Sequence, residues 1–501
     1  MSKLSRLGRN SLIVMSLFLV NKIFAFVHTA IVSRIYADKV HLLDTFNAAN
    51  NLPDMLFALI SGGALAMAFI PLLTEYLTTK DRAATWDLFS RVANFGFLLT
   101  SSIAVIIAIF AQQIVDAEIG IAPGFDAEQR QLLAELMRLN LIGTVIFSIS
   151  GLVMASLQAN QHFILPAIAP SVYNIGQIFG AIFLVPIFGI EGLVYGVIIG
   201  AAMHLLVQVP ALIKFGFRWT PSLDIRNTGL LDALKLMAPR LFTMAGIQFI
   251  FIARDNLASR LDQVGSVTAL TYGWMIMQVP ETILGTAIAT AMLPTLSELA
   301  SKRDWRGFRD TMERALRVMI SLTLPVAAVM SAGLHPLVRG VFGFPEDMSQ
   351  LITWTTRAYM LTLTGYAIHE VAVRSFYARK EPMVPLYMVF LRLAIFLAIG
   401  ITGVFVFTEI GAPVIAFAEI ALLIEAIILL ALLSKRTNET IKAGGSIVKG
   451  LLAAAVGGVI AYAIALYLPG GAIVTALIGM AVGGAVALVI VWSEAKQVFN
   501  L

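Results

Sequence analysis

The chain has 501 residues, of which 59% are hydrophobic and 13% charged, with a formal net charge of +5 and no cysteine. A soluble domain carries about a quarter charged residues, so too few polar side chains exist here to wet a water-soluble particle of this length. Apolar dominance excludes a disordered chain, and the missing cysteine excludes a disulfide scaffold, thiolate nucleophiles and Cys-ligated metal centres. What remains is a polytopic membrane protein.

A spanning helix needs about 20 mostly apolar residues, and lipid leaves only helices or a closed barrel able to satisfy the backbone. The apolar runs are continuous rather than alternating, which selects helices. Spans are predicted near 11–34, 45–74, 88–113, 132–157, 163–187 and 190–213, then near 230–260, 266–297, 313–334, 349–375, 384–407 and 411–433, with a final pair near 448–468 and 471–493. Residues 1–25 read as the start of the first span rather than a cleaved leader, because the run passes through Asn21-Lys22 without a small-residue cleavage site. Alternate loops differ sharply in basic residues: the set containing both termini holds 23 Lys and Arg, the other set 5. Such a bias predicts fourteen spans with both termini in the cytoplasm. The 114–131 loop, with Asp116, Glu118, Asp126 and Glu128, fits the outer side. The positive net charge thus reflects cytoplasmic loops facing anionic lipid, not a nucleic-acid surface.

Residues 62–91 and 285–314 align without gaps at an offset of 223. AFIPLLTEYLTTKDRAATWDLFSR lies over AMLPTLSELASKRDWRGFRDTMER, with Gly62/Gly285, Pro71/Pro294, Glu75/Glu298, Asp81/Asp304, Asp87/Asp310 and Arg91/Arg314 among the identities. The offset equals six spans, so both copies enter the membrane in the same direction, a parallel repeat of the kind found in alternating-access transporters. The predicted fold is an all-α polytopic membrane protein of fourteen transmembrane helices. Two six-helix lobes, 1–213 and 214–434, are related by pseudo-two-fold symmetry, and 435–501 adds a C-terminal helix pair. A central cavity is expected between the lobes, lined mainly by spans 1, 2, 7 and 8. Gly62-Gly63 and Gly285 mark places for close packing or bending.

Charged residues inside spans are expensive and mark ligands, counter-charges or water. The candidate cations are Lys22, Arg254, Arg357 and Arg392, with His28 as a titratable addition. The candidate anions are Asp44, Asp54, Asp255, Glu281, Glu370, Glu419 and Glu425. Lys22 has no adjacent acid and is expected to meet an anionic head group, the alternative being a pair with Asp44 or Asp54. Arg254 and Asp255 are neighbours in sequence, so different partners are expected for them, a cavity for Arg254 and Arg392 for Asp255. Glu281 follows Pro280, which frees a backbone carbonyl. Glu370 and Arg374 are spaced to pair with each other, His369 reads as structural, and Glu419 or Glu425 is placed to receive Arg357 or Arg392. No H-E-x-x-H, G-x-S-x-G, Asp-rich or Walker motif occurs, so neither an enzyme nor a nucleotide-driven pump is expected, and no cofactor or metal is called for.

Three stretches resemble the MurJ (MviN) lipid II flippases of the multidrug/oligosaccharidyl-lipid/polysaccharide exporter superfamily: 139–212, GYAIHEVAVRSFYARKEPMVPLYM at 365–388, and ALTYGWMIMQVPETILGTAIATAMLPTLSE at 269–298. The resemblance implies a monomeric carrier in a bacterial cytoplasmic membrane. Its partners would be membrane lipid and an undecaprenyl-diphosphate-linked saccharide, moved from the inner to the outer leaflet, with the two C-terminal helices forming a groove for the polyprenyl tail. It also carries over Asp44 as the acidic residue opening span 2. Departures fall on the family's anion-binding set. The span 1 motif S-R-V-x-G-x-x-R-D reads Asn21 to Thr29 here, with Lys22 and His28 at its arginines, while Phe57 and Met275 stand at other family arginines. The expected substrate-binding set is therefore Lys22, His28, Asp44, Arg254 and Glu281, with Asp255 and Arg392 as an ion pair or coupling site where the family can place cation-coordinating residues. The alternative function is another exporter of the superfamily, for polysaccharide-lipid or drugs.

Overall fold

A computed structural model describes residues 6–62, 64–222, 228–438, 441 and 444–497. Every regular element among them is a helix, the one open-ended structure that satisfies its own backbone in hydrocarbon. Ten helices among the described residues are long and apolar enough to cross a membrane, from Arg82–Ile109 to Ala472–Ala495. The four other predicted spans overlie helix Arg6–Ile35, the broken run from Val40 to Thr79, helix Thr228–Ser259 and helix Glu346–Ala378. The chain is thus an all-α polytopic membrane protein.

Two compact units divide it, Met1–Ile252 and Ala253–Leu501. In the first, helix Ala127–Ala159 is central and packs on Arg82–Ile109, Val40–Ala49 and Glu191–Leu206. Glycine lets two helices meet backbone to backbone: a Cβ on Gly180 would lie 2.5 Å from the Gly196 Cα, and Gly176 meets Gly200 in the same way. Close approach through small residues replaces the hydrophobic effect, which cannot drive association within lipid. Trp86, Phe89 and Phe217 close the end of this unit edge to face, with centroids 5.4–5.9 Å apart.

In the second unit, helices Trp305–Phe342 and Glu346–Ala378 pack together, and the pair Gly444–Tyr467 and Ala472–Ala495 packs on Trp305–Phe342. Its core gathers Met292, Leu296, Phe308, Met319, Val371 and Phe376, all fully buried.

The 223-residue repeat is visible in each unit's own geometry. Helices Ala64–Thr79 and Ala287–Ser301 start at the same offset, as do Arg82–Ile109 and Trp305–Phe342. Both of the latter are N-capped by aspartate: Asp81 accepts from the Ala84 N–H at 2.7 Å and Asp304 from the Gly307 N–H at 2.9 Å. Each cap satisfies an amide that the first turn leaves unpaired. The later charges diverge. Asp87 pairs with Arg91 at 2.7 Å, whereas Asp310 pairs with Arg309 at 2.7 Å and receives Arg314 through its backbone carbonyl at 3.3 Å.

Spans 2 and 8 depart from regular helix near the glycines marked for bending. Each contains a π segment, Phe57–Gly62 and Thr282–Thr286, and the two overlap at the repeat offset. An inserted residue shifts the hydrogen-bond ladder there, next to Pro280 in the second copy. Gly62 thus falls in a π segment, as does Gly285. Gly63, expected with them as a place for bending, lies outside the described residues.

Candidate functional site

Lys22 lies on helix Arg6–Ile35. The preceding residue docks this helix: Asn174 Nδ2 on helix Ile164–Phe179 donates to Asn21 Oδ1 at 2.8 Å. One residue on, about 100° around the helix, Lys22 is exposed. It makes no ion pair among the described residues, so the alternative of a pair with Asp44 or Asp54 does not occur. His28, further along the same helix, is half-buried. Asp44 is buried on helix Val40–Ala49 at 4% exposure and has its own partner.

Asp54 opens into a cavity of about 360 Å³, whose polar lining is Asn50, Asp54, Asn140, Thr144, Tyr173 and His204. The carboxylate has no hydrogen bond or ion pair among the described residues, while the backbone N–H donates to the Asn50 carbonyl at 2.7 Å and the backbone carbonyl accepts from Gln248 Nε2 at 3.4 Å. Phe57, at a family arginine position, lines the same cavity and meets Phe147 edge on at 5.0 Å. The two asparagines and the histidine of this cavity were not singled out from sequence. Their one signal was polarity within otherwise apolar spans.

The second unit pairs its charges. Arg254 and Asp255 bind each other, Nε to Oδ1 at 2.7 Å, both buried, and Arg254 reaches Thr271 at 3.5 Å. This corrects the expectation of separate partners: the Cβ directions diverge, but the arginine stem is long enough to fold back. Arg254 is therefore a compensated charge, not a free cation. Arg392 does not take Asp255 either. Its guanidinium binds Glu419 at 2.7 Å, and the Tyr366 hydroxyl bridges the two at 3.1 Å from each. Of the two acids proposed to receive an arginine, Glu419 is the one that does. Glu425 lies 3.4 Å from His369 Nε2, and Glu370 pairs with Arg374 at 2.8 Å as its spacing indicated. Glu281 turns back into the π segment that follows it, accepting from Thr286 at 3.0 Å and Thr282 at 3.4 Å.

An apolar groove runs along helix Trp305–Phe342. One chamber of about 600 Å³ is walled by Leu316, Leu324, Leu361, Ile427 and Leu451, and it shares Leu324, Leu361 and Thr364 with another of about 500 Å³. Arg357 borders the second chamber, its guanidinium 4.7 Å over the Trp354 ring and its Nε on the Ser331 carbonyl at 3.1 Å. No group of three His, Cys, Asp or Glu able to hold a metal occurs among the described residues.

The family model described as "Lipid II flippase MurJ" matches residues 39–481. The lipid II flippase MurJ of Burkholderia cenocepacia is 28% identical over 353 residues, 68% of either chain. The probable lipid II flippase MurJ of Vibrio cholerae is 28% identical over 397 residues, 76% of this chain and 74% of the relative. Among solved structures, a lipid II flippase MurJ in an inward closed conformation matches with a TM-score of 0.76 at 20% identity, covering 97% of this chain and 98% of that one. An inward-facing multidrug transporter of the MATE family matches with a TM-score of 0.72 at 14% identity, covering 85% and 98%. These two structural likenesses establish the fold.

Proposed function

Because the chain belongs to the lipid II flippase MurJ family, we infer that it is a transporter, not an enzyme, and that it flips an undecaprenyl-diphosphate-linked peptidoglycan precursor from the inner to the outer leaflet of a bacterial cytoplasmic membrane. The observation that carries this reading is the family match over residues 39–481. Within it we read fourteen spans, both termini in the cytoplasm, six-helix lobes at 1–213 and 214–434, and a helix pair at 435–501. The repeated aspartate caps and π segments support the two-lobe reading.

We assign Lys22 to the diphosphate head group, because it is an exposed cation in a predicted span with no carboxylate on it among the described residues. His28 and Asp44 are assigned as supporting residues, and Glu281 as a hinge-side acid. Arg254 would contribute only in a state that opens its pair with Asp255. The tail is assigned to the apolar groove. From Leu316 to Ser331 that groove follows about 15 residues of helix, roughly 22 Å at 1.5 Å per residue, more than one leaflet of the hydrocarbon layer. A carrier lipid far longer than one leaflet fits such a length. Outward movement of an anion is favoured by an inside-negative potential, by about 2.3 kcal/mol per charge per 100 mV.

The test is complementation of a strain depleted of its own flippase. Growth is expected with the wild-type chain and lost with Lys22→Ala at equal membrane abundance. Absence of rescue by the wild-type chain overturns the substrate assignment. A drug or polysaccharide exporter is the second reading, favoured by Phe57 and Met275 at family arginine positions, and a gain of drug tolerance without rescue selects it.

A further inference from the structure

Two hydrogen-bond acceptors of the Asp54 cavity, the Asp54 carboxylate and Asn140 Oδ1, have no donor among the described residues. Asn50 Nδ2 donates to the Phe46 carbonyl at 3.1 Å, which fixes the orientation of its amide and leaves Oδ1 as an acceptor. Asn140 Nδ2 fills that acceptor at 2.9 Å. The orientation of Asn140 is thereby fixed as well, and its Oδ1 is left buried with no partner, in a residue 2% exposed. Thr144 points its hydroxyl proton at the Pro53 and Asn140 carbonyls, each at 3.4 Å, so its oxygen faces other groups only as an acceptor. To these oxygens Asp54 adds a carboxylate with no partner among the described residues. No Lys or Arg is among the described residues that line the cavity.

Buried acceptors in native proteins are satisfied with few exceptions, and an unmatched one calls for a partner, either a water or an ion. A carboxylate beside several neutral oxygens calls for a positive one. We propose that this cavity binds one monovalent metal cation of the sodium class, held by the Asp54 carboxylate and Asn140 Oδ1, with the Asn50 and Thr144 oxygens completing the shell. All four are hard oxygen donors, which suit alkali and alkaline-earth ions rather than transition metals. A single carboxylate matches one charge, whereas calcium sites gather six to eight oxygens with several carboxylates. His204 does not compete as a ligand through Nδ1, which is occupied by Ser150 Oγ at 2.6 Å and Gln208 at 3.3 Å. A proton on Asp54 would neutralise the charge but supply one hydrogen bond to a set of acceptors.

The site bears on a helix that already departs from regular geometry. Asp54 lies three residues before the π segment Phe57–Gly62, and Phe57 shares the cavity wall. Phe57 rests on Phe147, which in turn meets Tyr173 at 5.0 Å and His204 at 5.2 Å. A cation seated among Asp54, Asn50 and Asn140 joins the Val40–Leu56 region to helix Ala127–Ala159 just ahead of the distortion, so occupancy biases how the π segment packs. Segments of this type recur at functional sites.

The test uses the purified full chain in nanodiscs and reads the ion, not the transported lipid, so it stands or falls apart from the flippase reading. Saturable binding of about one radiolabelled sodium ion per chain is expected, with a melting temperature raised by sodium over choline at equal ionic strength. Asp54→Asn should abolish binding, and Asn140→Ser should weaken it at least tenfold while keeping the fold. Sodium binding that survives both substitutions overturns the site. Equal melting curves in sodium and choline that shift only with pH overturn the ion in favour of a proton, and absence of any cation-specific effect overturns the proposal altogether.

Discussion

Arg392→Met should destabilise the second unit strongly, and pairing it with Glu419→Leu should restore most of the loss. Arg392 and Glu419 have side chains 6% and 3% exposed and meet at 2.7 Å. Removing the arginine leaves a carboxylate buried among apolar helices with a single Tyr366 hydroxyl to serve it. Breaking a buried pair by deleting one partner costs about 3–5 kcal/mol, whereas replacing both with apolar groups of similar volume is often neutral. The double variant still loses the tyrosine's partner, about 1 kcal/mol for one hydrogen bond. At roughly 2–4 °C per kcal/mol for a unit of this size, the single variant should melt about 6–20 °C lower and the double variant only about 2–4 °C lower. Intrinsic fluorescence of the detergent-purified protein on heating reads this directly. A single variant melting within 2 °C of the wild type would refute the reasoning, because Glu419 would then have another source of compensation.

Gly196→Leu should prevent the first unit from assembling, since even a Cβ at Gly196 would lie 2.8 Å from the Gly180 Cα; loss of the monodisperse peak in size-exclusion chromatography checks it, and a normal peak contradicts the close approach. Asp304→Ala removes an N-cap whose oxygen sits 2.9 Å from the Gly307 amide and should cost about 1 kcal/mol, with Asp304→Asn close to neutral, as measured by thermal melting. Glu346, outside the predicted spans, has its carboxyl held below the usual range by the Gln350 side-chain hydrogen bond, with His335 and Arg339 assisting. A depressed carboxyl contributes stability above its unfolded value, about pH 4.3, and loses it as pH falls through the lowered folded value. Glu346→Gln should accordingly flatten the acid limb of melting temperature against pH, and an unchanged limb would show the group to be uncoupled.

The repeat was legible because its signals are backbone signals: aspartates that cap, and prolines and glycines within the helices, keep their offset even where the other side chains differ. Pairing was legible where spacing on one helix settles it, as for Glu370 and Arg374, and partly legible for Arg392, whose acceptor was narrowed to Glu419 or Glu425. The Arg254–Asp255 pair defeated the rule that neighbours diverge, since that rule describes Cβ directions and not the reach of a guanidinium. The π segments leave no reliable mark in sequence beyond the proline before one of them. The Asp54 cavity was half visible. An acid within an apolar span stands out, but Asn140 lies 90 positions from Asn50, and nothing in the intervening residues shows that their amides interlock.

Charge is distributed unevenly between structural and available roles. In the second unit Arg254, Arg374 and Arg392 each hold a carboxylate within 2.8 Å, while Arg357 is set over an indole ring. Such groups are already compensated, and a ligand can recruit them only by breaking an existing contact. Among the described residues of the first unit, Lys22 has no acid on it and Asp54 no base. Two uncompensated charges of opposite sign inside predicted spans cost free energy in the absence of ligand, and the protein does not neutralise them against each other. That arrangement is intelligible if each awaits its own counter-ion, an anionic head group for Lys22 and a cation for Asp54. The consequence is testable without transport. Lys22→Met and Asp54→Asn should each raise the melting temperature of the ligand-free protein, whereas Arg254→Met should lower it, because only the last change strands a buried partner.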